Sequence, residues 1–445
     1  MHARPAATAT AVGRDGVPAG DRLAIDLPGI RRTPSSDPFV SRLPVSLLPT
    51  YVRAPEVFVR GDGARLFDQD GQAWLDLLGG IAVSALGHNH PGLTAALKDQ
   101  IGQLLHVSNL YRHPAGEEAA ERLARLSGLE RVFFCNSGAE ANEAALKLAR
   151  KFQRSRGRPE RAGFVALEGG FHGRTCGALS VTHTERYREP FGPLLGPVRW
   201  VAPNDVDGLE AAIGEHQPAG LILEPVQGEG GIRPLTLEFL QAARALCDRS
   251  ETVLIHDEVQ SGCGRTGSFL AGDRAGVKPD LATLAKPLGA GIPIGALLVG
   301  ADFTDVLAPG DHGSTFGGGP LAARAACVFL REWEEGDLPQ RVALRGDQLQ
   351  RALSAFAVDF DCVLERRGRG LMQALVLESP ARAQALVAEL HRRRVLCCVA
   401  GGDAVRFLPP YVITEAELDE ALDAVQSALD AVQHPQQAPD AALAQ

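Results

Sequence analysis

Val253-Leu-Ile-His-Asp257-Glu-Val-Gln260 and Leu281-Ala-Thr-Leu-Ala-Lys286-Pro-Leu-Gly289 are the two runs on which the fold turns. Each opens with an apolar stretch too short for an independent helix, and each ends in ionisable residues. Runs this apolar suit strands buried on both faces, as in a largely parallel sheet covered by helices. Ligand groups gather at the carboxyl ends of such strands, where Asp257 and Lys286 both fall. A lysine there is costly to bury as a cation. Its pKa drops, and the neutral amine can attack a carbonyl carbon. A carboxylate nearby suits pyridoxal phosphate, whose ring nitrogen must stay protonated if the ring is to accept electrons. For these two residues alone, a buried structural ion pair is the plain alternative.

Outward from these runs, strands and helices alternate. Short apolar segments at Arg131–Cys135, Phe164–Leu167, Val198–Val201, Gly220–Leu223 and Gly295–Val299 read as further strands. Helical spacing predicts helices over 91–106, 115–126, 139–154, 206–215 and 237–250. The expected class is α/β, a mainly parallel central sheet with helices on both faces plus a smaller α+β domain. From Pro320 onward the pattern is mainly helical (321–334, 339–356, 380–393 and 415–432), with one strand pair at 395–399 and 404–408. Cys397 and Cys398 read as core residues of the first of these strands. The predicted division is a disordered extension over 1–42, an N-terminal segment of the small domain over 43–86, a large cofactor-binding domain over 87–319, a C-terminal small domain over 320–433, and a tail over 434–445.

Composition narrows the function classes. With 445 residues, 45% of them apolar, the chain can bury a large core. Its net charge of −9 and the lack of a basic stripe argue against a nucleic-acid partner. An anionic substrate would therefore need local Arg or Lys groups. No apolar run is long enough to span a bilayer, and the first 40 residues lack a secretory core, so no membrane partner is expected. The eight cysteines contain no C-x-x-C pair and read as free thiols in a reducing cytoplasm.

Four other segments suggest ligand contacts, and each has a bland reading beside it. Asn136-Ser137-Gly138-Ala139-Glu140 lies between a strand and a helix, where backbone N–H groups suit a phosphate; a simple Ser137 N-cap is the alternative. Phe171-His-Gly-Arg174-Thr offers a ring to stack on a heterocycle and a guanidinium to hold a carboxylate, or it is an ordinary loop. Gly313-Ser314-Thr315-Phe-Gly-Gly-Gly319 is a phosphate cradle or a surface loop. His88-Asn89-His90 fits a turn before Pro91 better than a metal pair, and no metal site is expected.

Taken together, the runs resemble the class III branch of pyridoxal-phosphate aminotransferases, and within it the acetylornithine aminotransferases. The resemblance extends from about Leu48 to the last helix. Its most specific pieces are Ser108-Asn-Leu-Tyr111, Phe133-Phe-Cys-Asn-Ser-Gly-Ala-Glu-Ala-Asn-Glu143, Phe171-His-Gly-Arg-Thr175, Glu224-Pro-Val-Gln-Gly-Glu229, Asp257-Glu-Val-Gln260, Lys286 and His312-Gly-Ser-Thr-Phe316. It implies a fold-type I homodimer with shared active sites and with pyridoxal 5′-phosphate bonded to Lys286. Asp257 would pair with the pyridine nitrogen and Gln260 with the ring hydroxyl, while Phe171 and Val259 would sandwich the ring. Ser137, Gly138 and Ala139 would bind phosphate, and Thr315 would reach the phosphate held by the partner subunit. Arg174, Ser314 and Asn109 fall in the substrate set, and Glu229 with Arg406 would gate the two substrates. Two positions depart from the family pattern: Gly319 stands where Asn is usual, and Pro287 follows the lysine. The implied reaction transfers the terminal amine of N2-acetylornithine to 2-oxoglutarate, giving N-acetylglutamate 5-semialdehyde and glutamate, in arginine biosynthesis. Ornithine, succinylornithine, 4-aminobutyrate and carrier-linked lysine are alternative donors, and a non-catalytic cofactor-binding protein is the alternative from another class.

Overall fold

The computed structural model describes residues 47–434. The extension expected over 1–42, and all but the first residue of the expected tail, lie outside them. Contacts divide the chain between Glu56 and Val57. The described residues before that division, 47–56, carry no helix or strand. Every helix and strand among the described residues belongs to the unit that begins at Val57.

Phe58–Asp62, Arg65–Asp68 and Ala73–Asp76 form an antiparallel meander. Its second turn places Gly71 at φ +79°, and the Asp68 carboxylate accepts from the Trp74 indole N–H at 2.9 Å. The central sheet has seven strands in the order Arg131–Cys135, Gly295–Val299, Leu281–Leu284, Val253–Asp257, Gly220–Leu223, Phe164–Leu167 and Val198–Val201. All neighbours are parallel except Gly295–Val299, which runs against both of its own.

Alternation of side chains explains the two apolar faces. Ile222 and Ile255 point to the face packed by Ala144, Leu148 and Phe152 of the helix Gly138–Ser155. Their chain neighbours Leu221 and Leu254 point to the other face, against Leu209 and Ile213 of Val206–His216 and Phe239 and Leu240 of Leu237–Ser250. Strands covered on both sides read as unbroken apolar runs, and each fully buried Leu or Ile contributes about 1.5–3 kcal/mol.

The C-terminal part departs from the sequence reading in three places. A hairpin, Val363–Arg369 with Met372–Leu377, stands between the helices predicted over 339–356 and 380–393, where no element was predicted. Its outer strand carries Glu365, Arg366, Arg367 and Arg369, so it lacks the apolar run that marked the other strands. The single strand predicted over 395–399 is two: Val395–Leu396 adds to the N-terminal meander, and Cys398–Ala400 pairs with Ala404–Phe407. Cys397 lies at the break between sheets, and both Cys397 and Cys398 are half-buried rather than core. The helix predicted over 91–106 ends at Gln103, because Leu104 is extended and both Leu104 and Leu105 face solvent.

Candidate active site

Two neighbouring parallel strands bring the key pair together. Asp257 is the last residue of Val253–Asp257 and lies opposite Thr283 of Leu281–Leu284. The chain then leaves the second strand and turns sharply, with Lys286 at φ +36°, outside the ordinary range of a non-glycine residue. Pro287 occupies the start of the short helical turn Lys286–Gly289, where a missing N–H costs nothing. The departure at Pro287 therefore fits the backbone that presents the lysine. Gly319 likewise starts the helix Pro320–Glu334 without a side-chain cap.

Asp257 is buried and held from three sides. Its Oδ2 accepts from Asn142 Nδ2 at 2.8 Å and lies 2.8 Å from His172 Nδ1, while Oδ1 accepts from the Val259 N–H at 3.0 Å. Thr283 Oγ1 donates to Asn142 Oδ1 at 2.8 Å, which turns the amide so that its NH2 faces the carboxylate. These bonds fix the carboxylate before any ligand arrives. The structure thus adds Asn142, His172 and Thr283 to the site. All three lie inside the motifs quoted above, which give none of them a role.

Lys286 is half-buried, with its open side on the cavity. No described residue bonds its amine. Burial lowers its pKa, against the opposing pull of Glu229 and Asp257; Arg406 lowers it further. Glu224, which also lines the cavity, accepts from the N–H groups of Phe171 at 2.9 Å and Gly228 at 2.8 Å. Burial pushes its carboxyl up to about 7, with His172 opposing and Asp257 adding to the rise.

Glu229 and Arg406 meet as an ion pair. Arg406 lies on the strand Ala404–Phe407, 1% exposed, and its Nη1 donates to Glu229 Oε1 at 2.6 Å and to Gln260 Oε1 at 3.1 Å. Its Nη2 stands 3.3 Å from the Cys398 sulfur. Burial alone would lower the guanidinium, but Cys398 and Glu229 hold it raised. Burial alone would raise Glu229, but Arg406 and then Lys286 keep it below the usual carboxylate range.

A cavity of about 470 Å³ brings together Ser137, Gly138, Ala139, Phe171, Arg174, Glu229, Asp257, Val259, Gln260 and Lys286. Arg174 is exposed at its rim, its guanidinium 3.5 Å from the Tyr187 ring centre. Ser137 Oγ caps the helix Gly138–Ser155 by accepting from the Glu140 N–H at 3.2 Å. Four expected residues do not line this cavity, and of these Arg406 meets it only through Glu229 and Gln260. Asn109, Ser314 and Thr315 line a separate surface hollow of about 570 Å³. Asn109 donates to the carbonyls of Ser314 at 2.9 Å and Gly317 at 3.1 Å, bracing that loop, and Ser314 Oγ accepts from Asn136 Nδ2 at 3.1 Å. Within one chain, Ser314 and Arg174 therefore do not converge on a common donor. The two histidines discounted as ligands are also placed: His88 pairs with Asp76 at 2.8 Å, and His90 caps the helix Pro91–Gln103.

The cavity fits pyridoxal phosphate. A Cβ on Gly138 would stand 2.5 Å from Val259 Cγ1, so only glycine lets the helix start approach the Val259 wall this closely. Phe171 and Val259 offer apolar walls, the helix N-terminus faces the same space, and a braced carboxylate and an unbonded amine share the cavity.

The family model for class III aminotransferases matches residues 49–429. The succinylornithine transaminase of Salmonella typhimurium is 43% identical over 389 residues, covering 87% of this chain and 95% of that protein. Among solved structures, the ornithine aminotransferase from Toxoplasma gondii superposes with TM-score 0.84 at 35% identity, covering 88% of this chain and 93% of that one. The N-acetylornithine aminotransferase from Stenotrophomonas maltophilia gives TM-score 0.75 at 37% identity, covering 86% and 97%.

Proposed function

This chain belongs to the class III aminotransferases, which depend on pyridoxal phosphate, and from that premise we propose that it moves the terminal amine of an N2-acylated ornithine, N2-acetylornithine first, to 2-oxoglutarate. The observation that carries the proposal is the 2.6 Å contact between Glu229 and Arg406 beside Lys286. One pocket must hold a neutral acylated tail in one half-reaction and a second carboxylate in the other. With Glu229 in place, Arg406 is neutralised and the pocket suits the acylated donor. With Glu229 turned away, for which its half-open side chain has room, Arg406 is free to grip the keto acid.

Pyridoxal phosphate, when bound, supplies the electron sink for the carbon that loses its proton. Asp257, already held by Asn142 and His172, would provide the fixed negative charge that keeps the ring nitrogen protonated. Phe171 and Val259 would hold the ring in place with apolar contacts. Lys286 Nζ, favoured in its neutral form by burial, would take the proton from the donor Cδ carbon and deliver it to the cofactor carbon that had borne the aldehyde. Glu224 ties the Phe171 loop to the Glu229 loop through its two backbone bonds. The exposed hollow at Asn109, Ser314 and Thr315 supports a homodimer in which each copy completes the other's site, and the free cysteines are consistent with a cytoplasmic setting.

A second reading has its own support. The 43% identical relative takes its name from succinylornithine, so an N2-succinylated donor competes with the acetylated one. A panel of ω-amino donors with 2-oxoglutarate, read as glutamate formed, separates them. Acetylornithine or succinylornithine is expected to give the highest kcat/KM, and a clear preference for free ornithine or 4-aminobutyrate would overturn the proposal.

A further inference from the structure

A second hollow, of about 420 Å³, shares no lining residue with the Lys286 cavity. It lies between the turn at 266–268, the helix Leu338–Asp359 and the end of the hairpin strand Val363–Arg369, and three arginines line it: Arg274, Arg366 and Arg369. Arg369 is half-buried, yet its side chain has no hydrogen bond, ion pair or ring contact with any described residue. Burial lowers its pKa and nearby Arg274 lowers it further. Arg366, also half-buried, donates to the Gly368 carbonyl at 2.8 Å and to no carboxylate.

Some arginines of similar shelter pair with acids, as Arg367 does with Glu365, Arg345 with Glu415 at 3.0 Å and Arg244 with Asp280 at 3.1 Å; others, such as Arg150 and Arg161, donate to backbone carbonyls instead, and Arg369 does neither. Asp347 is the single acid lining this hollow, it is exposed, and it pairs with none of the three. The Ser268 hydroxyl has no described partner either, and the space above Gly267 is open, since a Cβ there would meet nothing within 4 Å. Sheltered guanidiniums without counter-charge are costly, and oxyanions match their fork of donors.

We propose that this hollow binds a small, multiply charged oxyanion, a phosphate ester or a polycarboxylate, with Arg274, Arg366 and Arg369 as its cationic wall. The bound anion would tie the loop that follows Asp257 to the C-terminal sheet, whose strand Ala404–Phe407 carries Arg406. The chain's net charge of −9 provides no general attraction for anions, so binding would be local and weakened by salt.

The test is calorimetric titration of the cofactor-saturated enzyme at low salt with inorganic pyrophosphate and, separately, citrate. Saturable binding of one anion per chain is expected, and the tighter probe tells phosphate from carboxylate chemistry. R369Q is expected to weaken binding about tenfold or more. R274Q, at an exposed position that tolerates substitution, should weaken it in the same direction, so the proposal stays testable if R369Q folds poorly. The absence of saturable binding by either probe, or equal binding by wild type and R274Q, overturns the proposal.

Discussion

His172 Nδ1 stands 2.8 Å from Asp257 Oδ2, and both side chains are buried. Because the carboxylate faces Nδ1, that nitrogen carries the proton, and His172 Nε2 is left buried with no described partner. The imidazole and Asn142 between them occupy Oδ2, and the Val259 N–H takes Oδ1. Asp257→Ala removes the anchor of this set together with the charge that faces the cofactor ring. It is expected to retain part of the cofactor absorbance while losing turnover by about 3–5 kcal/mol of barrier. Retention of near-normal single-turnover rates would remove Asp257 from its assigned role.

The gate pair makes a prediction in two directions. Arg406→Ala is expected to raise KM for 2-oxoglutarate far more than for the amino donor, because only the keto acid needs the guanidinium. Glu229→Ala leaves a buried arginine with Gln260 and Cys398 as its partners. It is expected to destabilise the fold by about 1–3 kcal/mol, below the full figure for a buried pair because the Glu229 side chain is 39% exposed. Denaturant titration measures the second effect and steady-state kinetics the first. Equal losses for both substrates in Arg406→Ala would argue against gating.

The residues that position the chemistry are legible in the sequence because burial and chemistry coincide in them. The central strands are buried on both faces, so their sequences are unbroken apolar runs, and the ionisable residues at their ends stand out. Asn142, Thr283 and His172 are harder to read. Their roles come from three segments meeting around one carboxylate, and nothing local in any segment announces the meeting. The hairpin Val363–Arg369 is hidden for the opposite reason: Leu364 and Glu365 face solvent, so its outer strand has no apolar signature. The break at Cys397 is invisible because two adjacent short strands pair with different sheets, which only tertiary structure decides.

Glu258 predicts a pH dependence of stability. It is fully buried, accepting from Ser261 Oγ at 2.7 Å and the Gly272 N–H at 3.0 Å, and burial pushes its carboxyl up to about 7. A carboxyl whose folded pKa exceeds its unfolded value of 4.5 binds more protons in the folded state between the two. Its contribution is therefore fully present below about pH 4.5, lost as pH rises to about 7, and constant beyond. Glu258→Gln keeps both hydrogen bonds, accepting from Gly272 and donating to Ser261, but cannot ionise. The stability of wild type minus that of the variant should fall by on the order of 1–3 kcal/mol from about pH 5 to about pH 8. Urea titrations of both proteins with saturating cofactor measure it, and a flat difference would place the Glu258 proton elsewhere.

Gly138→Ala probes the cofactor wall without touching charge. The added methyl would lie 2.5 Å from Val259 Cγ1 and 2.7 Å from Cγ2, so either Val259 turns or the start of the helix Gly138–Ser155 moves away. Both displace groups that line the ring and phosphate space, and overpacking of this kind costs about 1–3 kcal/mol. The dissociation constant for pyridoxal phosphate is expected to rise about ten- to a hundredfold. If the clash is the cause, Val259→Ala added to Gly138→Ala makes room for the methyl and recovers part of the affinity, measured by cofactor titration of the apoenzyme. A double variant that binds no better than Gly138→Ala would show that the glycine matters for its backbone rather than for this contact.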